Sequence, residues 1–81
     1  MTLMIVEEHM LGEVMKSNGR GKVTVSEVVT NRGEFLDIRN WYKTQNSDVW
    51  MKGKGCWIST DIVQGLLEIL IKEDWSKMSG N

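Results

Sequence analysis

The sequence predicts an α+β fold: four short strands joined by tight turns, followed by one C-terminal helix that covers the sheet and also meets a partner. Three observations predict it. Between residues 23 and 58, apolar and polar residues alternate with a period of two, in short runs separated by glycine-containing or polar segments. Proline is absent, so turns and helix ends rely on glycine and polar residues. The last long apolar segment has helical spacing and more apolar positions than one sheet face can cover.

With 81 residues the chain makes one small domain. A monomer of this size buries only about 60% of its unfolded surface, so pairing with a second copy would add a core. Residues 3–11 fit a short helix, with Leu3, Val6 and Met10 on one stripe and Gly12 ending it; a strand or a free tail fits nearly as well. Residues 1–15 are read as an acidic arm, 16–76 as the folded domain and 77–81 as a tail, with the four strands and the helix all beginning after Gly12.

The elements follow in order. Residues 17–21 (SNGRG) make a turn. Strand one begins at Val23, and its phase slips at Glu27, Val28 and Val29, where a bulge would fit. Residues 30–33 (TNRG) make a hairpin. Strand two covers residues 34–42, with Leu36 and Ile38 on one face and Phe35, Asp37, Arg39 and Trp41 on the other. A polar loop, 43–48, leads to strand three at residues 49–52, where Trp50 and Lys52 share a face. Gly53, Lys54 and Gly55 are read as a turn into a short fourth strand ending near Ile58. Ser59 or Thr60 then caps a helix running to about Trp75, and Asp61 suits its first turn.

Charge is partitioned. Residues 1–15 carry Glu7, Glu8 and Glu13 and no Lys or Arg; residues 16–54 carry +4; residues 55–81 carry −2. The net charge of −1 therefore hides a basic middle, and local charge is what a polyanion feels within a Debye length of about 8 Å. The acidic arm can fold onto that basic middle and compete with phosphates, or it can simply keep the protein soluble.

Two neighbouring strands place aromatic and basic side chains on an outward face: Arg39 and Trp41 with adjacent Tyr42, and Trp50 with Lys52 and Lys54. Aromatic rings stack nucleobases, at about 1–3 kcal/mol per base, and cations hold phosphates. Read alone, the first set equally fits a core tryptophan beside a surface ion pair between Asp37 and Arg39. Trp50 has opposite parity to Val49 and Met51, and Trp57 to Cys56 and Ile58, so the four tryptophans cannot all sit on the helix side.

Other classes find little support. The single cysteine, Cys56, excludes an intramolecular disulfide and suits a reducing compartment. One His and one Cys cannot build a Cys/His zinc site, so no metal or other cofactor is expected. No arrangement of nucleophile and base suggests an enzyme. The longest apolar runs, 3–6 and 66–71, are far below the roughly 20 residues of a membrane span, and no basic region precedes the first, so neither a membrane segment nor a secretory leader is expected.

The ordered motifs LDIRNWY (36–42) and MKGKG (51–55), with the helical segment after Ile58, resemble the family of the eukaryotic transcriptional positive cofactor 4. The resemblance covers about residues 20–71, and Lys54 stands 12 positions after Tyr42, as in the family pattern. It implies an α+β fold, a curved four-stranded antiparallel sheet followed by one C-terminal helix, with a sheet face that binds single-stranded DNA and helices that form a homodimer. By position, Arg39, Tyr42 and Lys54 match the family's DNA-contacting Arg, stacking aromatic and turn Lys. The family's hairpin aromatic has no counterpart at Thr30–Asn31, and Trp50 stands where it can take over stacking.

The expected nucleic-acid-binding residues are Lys22, Arg32, Arg39, Trp41, Tyr42, Trp50, Lys52 and Lys54. The expected dimer interface is Val63, Leu66, Leu67, Leu70, Ile71 and Trp75. The function expected is largely sequence-independent single-stranded DNA binding in replication, recombination, repair or transcription, alongside proteins of those processes. The compact chain looks like a prokaryotic or phage member, acting in the bacterial cytoplasm. The other reading is a dimeric protein-interaction module using the same aromatic-basic face.

Overall fold

The computed structural model describes residues 2–75. The expected tail, 77–81, lies outside the described residues. Four strands run in chain order: β1 (Ile5–Met15), β2 (Gly21–Thr30), β3 (Gly33–Tyr42) and β4 (Met51–Ser59). A 3-10 turn over Thr60–Ile62 leads into the helix α1 (Val63–Lys72). The strands form one antiparallel sheet in the order β1-β2-β3-β4. The expected α+β class, a four-stranded antiparallel sheet followed by one C-terminal helix, therefore holds, although two of its four strands are not the expected ones.

The first correction is at the N-terminus. Residues 5–15, read as an arm, form the sheet's first strand, paired with β2 from Ile5↔Thr30 to Met15↔Lys22. Two register shifts, between Ile5 and Glu7 and between Met10 and Gly12, leave Val6 and Leu11 as extra residues. Each shift breaks the period of two, so the apolar residues fall at mixed spacings and mimic a helical stripe. Beyond β1, the backbone N–H of Met4 donates to Asn31 Oδ1 at 3.1 Å, and Asn31 N–H donates to the Met4 carbonyl at 3.1 Å. The segment is thus tied to the β2–β3 hairpin.

The second correction is at residues 53–55. They do not turn; they lie inside β4. Gly53 and Gly55 serve close approach. A Cβ at Gly53 would lie 2.8 Å from the Asn40 carbonyl oxygen, and one at Gly55 would lie 2.8 Å from that of Ile38. The β3–β4 register shifts between Arg39 and Trp41, which puts the extra β4 residue at Gly53–Lys54. The bulge expected at 27–29 is absent from the β2–β3 pairing, which is unbroken from Gly21↔Tyr42 to Thr30↔Gly33. The expected turns at 17–21 and 30–33 hold: Gly19 (φ 71°) serves the β1–β2 connection and Gly33 (φ 133°) the β2–β3 hairpin.

The helix is shorter than expected. It ends at Lys72, with Glu73 already extended at φ −94°, ψ 148°. Glu73 and Asp74 would place two carboxylates at the negative end of the helix dipole, which opposes continuation to Trp75. Ser59 does not cap α1: its hydroxyl donates to Asp61 Oδ1 instead, and Ile62 occupies the N-cap without a side-chain bond.

Alternation gives the sheet two faces. One carries Val25, Ile38, Leu36 and Ile58, and these line an open apolar trough of about 480 Å³ together with Leu66, Leu67 and their neighbours on α1. No residue of α1 is buried, and Ile71 is 73% exposed. The other face carries Lys22, Thr24, Ser26 and Val28 of β2 opposite Trp41, Arg39, Asp37 and Phe35 of β3. Among the described residues Val28, 1% exposed, is the one buried hydrophobic side chain, with Thr24, Ser26 and Thr30 buried along the same row. The chain exposes 6511 Å², against about 5,000 Å² for a compact monomer of 9.3 kDa.

Candidate nucleic-acid interface

The face away from the helix gathers aromatic and basic groups at one end. Lys22, near the start of β2, pairs across the strands with Trp41, and Trp41 pairs on its other side with Lys52. The three share a face because cross-strand partners point the same way. The Lys22 ammonium lies 4.7 Å from the Trp50 ring centroid and 6.0 Å from that of Trp41. Lys43 approaches Trp50 as well, at 4.6 Å. These are cation–π distances. They leave Trp50 flanked by two ammonium groups at the mouth of the β3–β4 loop.

Local hydrogen bonds hold this corner. The Trp41 indole N–H donates to Thr24 Oγ1 at 2.9 Å, which fixes the ring over the β2 row. The Lys43 N–H donates to the Arg20 carbonyl at 3.0 Å, and the Arg20 guanidinium donates to the Thr44 carbonyl. The β3–β4 loop is thereby tied to the β1–β2 turn, and that places Lys43 beside Trp50. Glu13 of β1 accepts from Lys22 Nζ at 3.2 Å. The cluster thus contains its own carboxylate.

Farther along β3, Arg39 and Asp37 pair with each other, at 3.0 Å from Nη2 to Oδ1. Beyond them Phe35 and Trp57 stack, with centroids 5.3 Å apart and planes 28° from parallel. From Trp41 to Phe35 the row spans roughly 20 Å. The face therefore offers cations and rings at one end, a neutralised ion pair in the middle and an aromatic pair at the other.

Of the expected binding residues, Lys22, Trp41, Trp50 and Lys52 come together, and Arg39 shares their face. Three do not join the cluster. Tyr42 stands opposite Gly21 and Met51, one step out of phase with Trp41, so alternation turns it toward the helix side. Lys54 precedes Gly55, the partner of Arg39, and alternation sends it to the helix side too. Arg32 sits in the β2–β3 hairpin, roughly 25 Å along the sheet from Trp41. Its backbone N–H donates to Thr30 Oγ1 at 3.0 Å.

Sequence reasoning missed Lys43 and Thr24, and it named Glu13 only as one of three arm glutamates that could compete with phosphates. Lys43 lay in a segment read only as a polar loop. Thr24 and Glu13 need cross-strand register, and the register of β1 depends on bulges that the sequence pattern does not reveal.

The expected interface residues Val63, Leu66, Leu67 and Leu70 line the apolar trough, while Ile71 and Trp75 border a second hollow with Val14. The Trp75 indole N–H donates back to the Leu70 carbonyl at 2.5 Å. Among the described residues, no group of His, Cys, Asp and Glu could hold a metal ion, and no helix is long and apolar enough to cross a membrane. No protein family, curated protein or solved structure matches this chain.

Proposed function

We propose that this protein is a homodimeric, largely sequence-independent single-stranded DNA-binding protein of the cell interior, serving replication, recombination, repair or transcription. The observation that carries the reading is the corner where Lys22 and Lys43 flank Trp50, with Trp41 and Lys52 on the same face. Stacking on rings accepts any base, and ammonium groups accept any phosphate, so the combination favours an unpaired strand without a sequence code. A duplex would keep its bases away from the rings. The motif resemblance to the transcriptional positive cofactor 4 family points the same way.

The dimer part of the reading rests on the helix side. Leu66, Leu67, Ile69, Leu70 and Ile71 of α1 are all exposed within the chain, an apolar surface that calls for a cover. A second copy supplies the apolar surface that the trough and the exposed face of α1 lack.

Titrating labelled oligothymidine while following tryptophan fluorescence tests the function. Binding should quench Trp50, and log affinity should fall with log salt at about −0.7 per neutralised phosphate. No binding below about 100 μM at low salt would reject the reading in favour of a protein-interaction surface.

A further inference from the structure

Arg39 stands midway along β3 on the candidate face, but its donors are turned into the protein. Nε and Nη2 donate to the Asp37 carboxylate at 3.4 and 3.0 Å, and Nη1 donates to the Gly53 carbonyl at 3.2 Å. Three of the five guanidinium N–H groups are thereby used. The cross-strand partner of Arg39 is Gly55, where a Cβ would lie 2.8 Å from Arg39 Cζ and 3.0 Å from Nε. The guanidinium therefore fills the space above β4 that any larger residue at position 55 would occupy. The side chain of Arg39 is 21% exposed and that of Asp37 13%.

Two consequences follow. Asp37 neutralises the positive charge at close range, so the pair presents little net field to a phosphate. The planar group also cannot swing its fork outward without breaking bonds to Asp37 and to the β4 backbone. What it can offer is its plane, and guanidinium planes stack on unpaired bases. The neighbouring cations Lys22, Lys43 and Lys52 are ammonium groups that serve phosphates. Arg39 lies between their cluster and the Phe35–Trp57 pair, where a strand crossing the face would set down a base.

We infer that Arg39 binds a nucleobase by stacking rather than a phosphate, and that Gly55 is glycine in order to seat it. This rests on the single-strand reading and assigns a chemical moiety to one position within it.

The test is binding of the full chain to oligothymidine, and to an abasic oligomer of equal length, between about 50 and 200 mM salt. Arg39→Ala and Arg39→Lys should both weaken oligothymidine binding, by roughly 5- to 100-fold, and for Arg39→Lys, which keeps the charge beside Asp37, the salt slope should be unchanged. Lys52→Ala should instead make the slope shallower, by up to about 0.7. On the abasic strand the gap between wild type and Arg39→Lys should vanish. An Arg39→Lys variant that binds as wild type does, or one whose loss persists undiminished on the abasic strand, would mean a phosphate contact and overturn the inference. Should Arg39→Ala fail to fold, Arg39→Lys decides, because it keeps the charge opposite Asp37. Wild-type protein that binds neither strand would reject the single-strand reading itself, and the inference with it.

Discussion

Glu13 of β1 reaches diagonally across to Lys22 of β2, with 3.2 Å between carboxylate and ammonium. Lys22 is also the cation nearest the Trp50 ring from β2. The carboxylate therefore occupies a group that a phosphate would need. Of the three N-terminal glutamates, only Glu13 is so placed. Glu7 pairs with His9 on the helix side of the sheet, and Glu8 stands opposite Val28, well along the row.

Glu13→Gln should tighten single-strand binding by up to about 5-fold at low salt, since a partly exposed ion pair contributes about 0.2–1 kcal/mol. The salt slope should steepen at the same time. In the wild type a phosphate displaces a carboxylate from Lys22; in the variant it displaces counterions. Glu7→Gln, which leaves Lys22 untouched, should change neither quantity. Equal effects from the two variants in a salt series would show that only net charge matters.

Lys52 and Lys54 are two residues apart, yet the irregularity in β4 separates their roles. Lys52 stands opposite Trp41, whereas Lys54 alternates to the other side from Gly55. Lys52→Ala should weaken oligothymidine binding several-fold and make the salt slope shallower by up to about 0.7. Lys54→Ala should leave both nearly as in wild type. A larger loss from Lys54→Ala would mean that the bulge turns its side chain back across the sheet edge.

How much of this was legible varied with how local the signal was. The hairpin at Thr30–Gly33 and the faces of β3 follow from a turn motif and strict alternation, both of which lie within a few residues. The apolar excess of α1 was equally plain. Residues 5–15 were not, because the extra residues Val6 and Leu11 scramble the alternation of an otherwise ordinary strand. Gly53 and Gly55 misled for another reason. Glycine marks both tight turns and close approach, and only the positions of Asn40 and Arg39 across the sheet tell the two apart. The site suffered likewise: Trp41, Trp50 and Lys22 were visible as residue types, but the carboxylate beside Lys22 comes from a strand whose register could not be read.

The role of β1 makes a deletion decisive. Removing residues 2–11 would strip β2 of its partner from Ser26 to Thr30 and uncover Val28, the buried hydrophobic residue of the aromatic face. The β2 backbone would become an open edge, prone to pairing with other chains. Thermal unfolding should shift down by far more than the roughly 4–8 °C that 1 kcal/mol gives in a domain this size. Light scattering should show association on heating. A truncated protein with an unchanged melting profile would mean that β1 contributes little to the sheet.

The helix side carries the last prediction. Leu67 lines the apolar trough yet is 45% exposed, and α1 buries none of its residues within the chain. If a second copy covers this surface, Leu67→Glu would force an unpaired carboxylate into apolar surroundings, at a cost of several kcal/mol. In the isolated chain the same carboxylate would reach water and cost little. The substitution therefore discriminates between the two states. Sedimentation at micromolar concentration should find wild-type dimer and Leu67→Glu monomer or unfolded chain. Gln64→Glu, one turn away and outside the trough, should remain dimeric. Single-strand affinity of the Leu67→Glu protein should fall as well, because two joined sheets engage one long strand with the gain of a tethered second site. A stable, well-folded wild-type monomer at that concentration would exclude the homodimer, and the exposed face of α1 would then need another partner to cover it.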